Sequence, residues 1–233
     1  MVATLVLVPG LLSDSRVWLP LSESVGKKMP VYHAALAGYD SLAAMAKYIL
    51  GEVSGPIVAV GHSMGGRVCM EMARLDPERV IGLVLADTGY HGLRDGELKK
   101  RQAVVDLGHK SMPTLVDSWL PPMVNLDRHR ESDLMGNLRQ MALQFDSVTH
   151  ESWIRALINR PDAGSYLHAI HCPVLLMTGD RDNWSPISQH REMAELLPDS
   201  EFVVIDYAGH FAPVERPYVV CSSVIEWLGR RFQ

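Results

Sequence analysis

The sequence predicts an α/β fold built on one parallel sheet, and three observations carry that reading. Six short apolar runs rich in Val, Leu and Ile recur along the chain. Stretches with apolar residues at helical spacing separate most of them. The runs are almost continuously apolar rather than alternating, as expected of strands covered on both faces by helices. The chain has 233 residues, enough for one such domain carrying an insertion.

In chain order, residues 4–8 form a first strand that ends at Pro9-Gly10, and a helical stretch follows at 16–24. Residues 31–36 read as the second strand and 41–52 as an amphipathic helix. The third strand, 56–61, feeds a helix that carries Arg67 to Leu75. The fourth strand is 80–86 and the fifth 173–178. A helix at 187–197, the sixth strand at 201–205 and a closing helix at 218–230 complete the series. The pattern breaks after the fourth strand, where Leu115, Trp119, Met123, Leu138, Phe145, Trp153 and Leu157 recur at roughly helical spacing and Pro121-Pro122 interrupts. Residues 89–171 therefore read as a helical cap, with 1–88 and 172–233 as the core. Such a cap would lie over the carboxyl edge of the sheet, where open α/β sheets bind ligands.

Composition narrows the function. The chain is 47% hydrophobic and 21% charged, with a net charge of −5. That balance gives no electrostatic footprint for nucleic acid, and the basic run Lys99-Lys100-Arg101 reads as a solvated helix face. Three scattered cysteines fit a reducing, cytoplasmic setting rather than a disulfide framework. The opening apolar run is too short for a signal peptide or a membrane span. His168, His171 and Cys172 resemble a metal trio by composition alone, so no metal and no cofactor is expected. A monomer and a homodimer are equally compatible with the sequence.

The chemistry-bearing motif is Gly61-His62-Ser63-Met64-Gly65, lying between a strand and a helix. A serine in that tight turn adopts a strained backbone and presents its hydroxyl above the sheet edge. Ser63 is the expected nucleophile. It needs a base, and a base needs an orienting acid. His210 follows the last strand and is the expected base. His62, inside the turn, should point its side chain away from the reacting face. Asp182, in the loop after the fifth strand, is the expected acid, with Asp87 at the end of the fourth strand as its competitor and Asp180 as a turn former. The backbone N–H groups of Met64 and Leu11 are the expected oxyanion donors, since Pro9 has none. Trp18, Trp119, Met123, Phe145, Trp153 and Trp184 are candidate walls of an apolar substrate pocket.

These residues carry a family resemblance. Gly61 to Gly66, the Gly179-x-x-Asp182-x-x-x-Pro186 loop and the stretch Gly209 to Pro217 are similar to motifs of the α/β-hydrolase superfamily, as is the order Ser63, Asp182, His210. More narrowly, the chain resembles small cofactor-free carboxylesterases such as pimeloyl-carrier-protein methyl ester esterases. The resemblance implies a six-stranded parallel sheet and an acyl-enzyme route for hydrolysis of a small-molecule ester. Carbon–carbon bond hydrolysis, lactone opening and cyanohydrin cleavage use the same three side chains, and a non-catalytic receptor can share the scaffold. Pro9-Gly10 departs from the His-Gly that many members carry in the oxyanion loop.

Overall fold

The computed structural model describes residues 2–26 and 28–232. Six strands form one sheet: β1 (Thr4–Val8), β2 (Val31–His33), β3 (Ile57–His62), β4 (Val80–Ala86), β5 (Val174–Gly179) and β6 (Ser200–Ile205). Their spatial order is β2-β1-β3-β4-β5-β6, and every neighbouring pair is parallel. From β1 the chain moves outward to β2, then returns to build β3 on β1's other side. The direction of winding reverses there, which opens a crevice at the carboxyl ends of β1 and β3.

Successive strand residues face opposite layers. Val6, Ala59, Leu83 and Leu176 pack with α2 (Leu42–Glu52), α3 (Met64–Leu75) and α8 (Ile187–Leu196). Leu7, Val60, Val84 and Met177 pack with α1 (Leu19–Val25) and α10 (Pro217–Arg231) on the other face. Between β4 and β5 lie α4 (Glu97–Lys110), α5 (Met112–Trp119), α6 (Ser132–Ala142) and α7 (Ser147–Ile158), joined by short 3-10 turns. A single turn of helix, α9 (Ala212–Glu215), precedes α10. Among the described residues no helix is long and apolar enough to cross a membrane.

Two elements differ from the sequence reading. The second strand stops at His33 rather than residue 36. As an edge strand it pairs only with β1, and after Ala34 donates to the Leu7 carbonyl (3.0 Å) the chain turns inward to bury Leu36. The stretch expected as one helix at 16–24 is a 3-10 turn, Ser15–Trp18, followed by α1 with Pro20 in its first turn. Proline is tolerated there because the first-turn N–H has no helical partner.

Candidate active site

Four non-glycine residues have left-handed backbones, Leu12 (φ 50°), Ser63 (φ 53°), Asp87 (φ 48°) and Tyr207 (φ 58°). Each lies in a loop beyond the carboxyl end of a strand, after β1, β3, β4 and β6 respectively. Such conformations cost about 1–3 kcal/mol apiece and persist only where the surroundings impose them. At Ser63 the surroundings are explicit. Its N–H donates to the Ala86 carbonyl (2.9 Å), and its own carbonyl accepts from Gly66 N (3.0 Å) and Thr88 Oγ1 (2.6 Å). The turn closes so tightly that a Cβ at Gly61 would strike the Gly65 carbonyl, and one at Gly65 would strike those of Val8 and Pro9.

The turn aims the Ser63 hydroxyl at His210, with 2.8 Å between Oγ and Nε2. On the far side of the ring, Nδ1 lies 2.8 Å from Asp182 Oδ2. The Asp182 carboxylate accepts a hydrogen bond from Nδ1–H, which leaves the Nε2 lone pair facing the hydroxyl. Asp182 Oδ1 is held by the Trp184 and Ser185 amides at 2.7 and 2.9 Å. Burial pushes the Asp182 carboxyl up, but the His210 imidazole and those two amides outweigh it and hold it below its ordinary value.

Asp87 lies elsewhere in the network. Its Oδ1 accepts from Gly179 N (2.9 Å), while Oδ2 is buried without a partner among the described residues. Burial first, then the Asp182 charge, raise its carboxyl well above the usual range. Asp180 accepts from Ala208 N (3.2 Å) and helps organise the turn beside β6.

Beside Ser63 a cavity of about 350 Å³ opens at the sheet edge, and Leu11 and Met64 line it. Neither of their amides has a hydrogen-bond partner within the described protein. The Met64 N–H stands at the start of α3, where the helix dipole favours negative charge. Trp119, Met123 and Trp184 also line this cavity, together with Phe211, Val104 and Ile154.

Three expected walls do not. Trp18 is buried in the core and donates Nε1–H to the Val8 carbonyl (3.1 Å), bracing the loop that carries Leu11 from beneath. Trp153 is buried as well, donates to the Leu36 carbonyl (3.0 Å) and packs on Phe145 with ring centroids 4.8 Å apart. Both of those rings line a separate cavity of about 230 Å³ behind the Pro9 loop. The basic run departs from expectation at one residue: Lys99 and Lys100 are exposed, Lys100 at the rim of the main cavity, but Arg101 is half-buried in the cavity wall and pairs with Glu97 (2.7 Å).

Two positioning residues escaped the sequence reading. His62 Nε2 lies 2.7 Å from the His210 carbonyl. Burial, followed by the proximity of His210, pushes the His62 imidazole down to about 3, so it is neutral and donates from Nε2. Glu215 accepts from Gly209 N (2.9 Å) and Asn125 N (3.0 Å), and His210 N donates to the Met123 carbonyl (2.6 Å). The loop carrying the imidazole is thus tied to the insertion at two points. A carboxylate five residues after a histidine gives no local signal of this, because its partners are backbone amides and one of them, at Asn125, is 90 residues away. Among the described residues, no three His, Cys, Asp or Glu side chains are grouped to hold a metal ion.

Residues 5–223 match the model of the alpha/beta hydrolase family. The chain belongs to that family. Relatives of this hydrolase include a putative 2-succinyl-6-hydroxy-2,4-cyclohexadiene-1-carboxylate synthase of Bacillus subtilis (strain 168), 28% identical, with 72% of this chain and 64% of the relative covered. A pimeloyl-[acyl-carrier protein] methyl ester esterase of Nitrosomonas europaea is 25% identical, with 95% and 94% covered. Among solved structures, a thermophilic esterase from Thermogutta terrifontis with malate bound superposes with a TM-score of 0.90 at 27% identity, covering 99% of this chain and 91% of that one. The chain spans less than two thirds of the first relative's length and nearly all of the second's.

Proposed function

We propose that this hydrolase cleaves a small carboxylic ester through a covalent acyl-enzyme, with Ser63 as nucleophile, His210 as general base and acid, and Asp182 as orienting carboxylate. The observation that carries the reading is the continuous relay from Ser63 Oγ to His210 Nε2 and from Nδ1 to Asp182 Oδ2, both at 2.8 Å, beside two unpartnered amides. Helices 89–171 act as the cap that closes the cavity over this relay.

As Ser63 Oγ attacks the ester carbonyl carbon, its proton passes to His210 Nε2. The carbonyl oxygen gains the negative charge and receives hydrogen bonds from Leu11 and Met64 N–H. Removing one such donor from an oxyanion site costs about 100- to 1000-fold in turnover. Collapse of the tetrahedral species expels the alkoxide, which takes the His210 proton and departs as the alcohol. Water then attacks the acyl carbonyl and gives a proton to His210. Collapse returns that proton to Ser63 Oγ and releases the carboxylic acid. Asp182 keeps its own charge throughout, fixes the imidazole tautomer and stabilises the imidazolium. Trp119, Met123 and Phe211 supply an apolar wall against which acyl or alcohol groups are desolvated.

The test is turnover of a series of p-nitrophenyl esters by the wild-type protein and by Ser63→Ala. Saturable hydrolysis that disappears with the hydroxyl is expected. Undiminished hydrolysis by the alanine variant would remove Ser63 from the reaction.

A further inference from the structure

The cavity beside Ser63 has one apolar wall and one strongly cationic wall. Five of its residues are basic (Arg67, Arg94, Lys100, Arg101 and Arg160), and one, Glu97, is acidic. Glu97 is already fully engaged. Its Oε1 accepts from Arg101 (2.7 Å), and its Oε2 accepts from Arg160 Nη2 (2.6 Å) and from the Arg94 amide (3.0 Å). Burial would raise the Glu97 carboxyl, but these donors hold it down at about 2. Arg160 spends its other N–H groups on the carbonyls of His91, Gly92 and Leu157.

Arg67 makes no ion pair among the described residues; Glu97 acts on it only at a distance. Arg67 projects from α3 one helical turn after Ser63, about 6 Å further along the axis. Among the described residues its guanidinium makes a single hydrogen bond, from Nη1 to the His91 carbonyl (2.9 Å). Nε and Nη2 have no partner. Burial, and then the charges of Arg160 and Arg101, bring this guanidinium down to about 9, still cationic at neutral pH. Glu71, four residues further along α3, is engaged by Arg74 Nη2 (2.8 Å) and Tyr166 Oη (2.7 Å).

The backbone makes room for this unsatisfied edge. A Cβ at Gly89 would stand 3.0 Å from Arg67 Nη2 and would collide with the Gln189 amide. That amide also has no side-chain partner among the described residues, and it lines the same cavity. A half-buried guanidinium that turns a free planar edge into the cavity, beside a neutral amide donor, is a receptor for a carboxylate.

We propose that the cavity takes esters bearing a second, ionised carboxylate, anchored on the free edge of Arg67 with Gln189 beside it, while Arg101 and Lys100 supply the surrounding positive field. This rests on the reading of Ser63 as an ester-cleaving nucleophile, and the substrate is then a half-ester or an ester of a hydroxy acid. Selectivity follows from burial: a neutral end group leaves the Arg67 edge unpaired and desolvated, whereas a carboxylate satisfies it.

Two measurements test the proposal. The first compares p-nitrophenyl monoesters of the dicarboxylic acids succinate to pimelate with keto esters of equal length that end in a neutral methyl ketone. A parallel arm places the carboxylate on the alcohol, as acetyl esters of hydroxy acids. At the best length or arm, wild-type kcat/KM should favour the anion by about 10- to 100-fold, chiefly through KM. The ratio should shrink with added salt, approach one in Arg67→Met, and be partly rescued in Arg67→Lys. A wild-type protein that cleaves neutral and anionic esters equally well in both arms would overturn the carboxylate subsite and leave the esterase reading standing.

The second is calorimetric titration of glutarate and adipate, with glutaramide as neutral control, into folded Ser63→Ala and into Ser63→Ala/Arg67→Met. Saturable, salt-sensitive binding of a dianion that the double variant loses supports the subsite even if no ester is turned over, in which case only the esterase reading falls. No binding of either dianion overturns the subsite whatever the turnover.

Discussion

The loops at the carboxyl edge of the sheet and the helical insertion above them contribute different things to one cavity. The edge loops hold Ser63, Asp182 and His210 through hydrogen bonds of 2.6–3.0 Å between neighbouring strands' ends and through a strained turn that glycines make possible. The insertion presents side chains along helices, Val104 and Trp119 on the apolar side and Lys100 and Arg101 on the charged side. Geometry at the edge is fixed by backbone that the core itself holds in place. Selectivity on the insertion depends on which helix face turns inward. The two regions meet where the Met123 carbonyl and Asn125 amide grip the loop of His210.

If that division of labour holds, changes at the edge should abolish chemistry and changes on the insertion should redirect it. Ser63→Ala should lower kcat by about a million-fold, measured on any ester that the wild type accepts. Asp182→Asn should lower it by about ten-thousand-fold through the wrong imidazole tautomer, with the fold intact by circular dichroism. A nearly silent Asp182→Asn alongside a crippled Asp87→Asn would move the orienting role to Asp87.

Glu215→Ala probes the junction between the regions. It leaves the buried amides of Gly209 and Asn125 without a partner, at about 1–3 kcal/mol each. For a domain of this size that is a fall in Tm of roughly 4–24 °C. A loss of kcat of about ten-fold should accompany it as His210 loosens. An unchanged Tm would mean that water replaces the carboxylate freely. Trp119→Ala, on the insertion, should alter KM and the preferred acyl or alcohol size by several-fold while leaving the reactivity of Ser63 intact.

Asp87→Asn gives the smallest effect and a distinctive pH signature. The folded-state pKa of Asp87 lies above its unfolded value of about 3.9, so its contribution to stability is fully present below that pH and is lost as pH rises toward the folded value. The asparagine variant escapes this loss. Its Tm should exceed the wild-type value by a few degrees at pH 8, and the gain should shrink toward zero near pH 4 in thermal melts across that range.

Legibility in the sequence divides along the same line. The six strands were readable because each is a short apolar run closed by turn residues, and the meeting of Ser63, His210 and Asp182 at one sheet edge could be anticipated because each sits just beyond such a run. The cavity walls were not. Trp119 and Trp153 look alike as apolar residues at helical spacing, yet one borders the cavity and the other donates to the Leu36 carbonyl in the core. Arg101 read as a solvated cation because its partner, Glu97, sits in the first turn of the same helix, and only the packing of α4 against α7 turns that pair toward Arg160. Hydrophobic periodicity locates a helix but not its rotation about neighbours that are themselves unplaced.

The most direct measurement is intact-mass analysis of the protein after brief exposure to a fluorophosphonate, followed by peptide mapping. One phosphonyl adduct per chain, located on Ser63 and absent from both Ser63→Ala and His210→Ala, is expected. Folded wild-type protein that stays unmodified, or an adduct on a different residue, would contradict the assignment of the nucleophile.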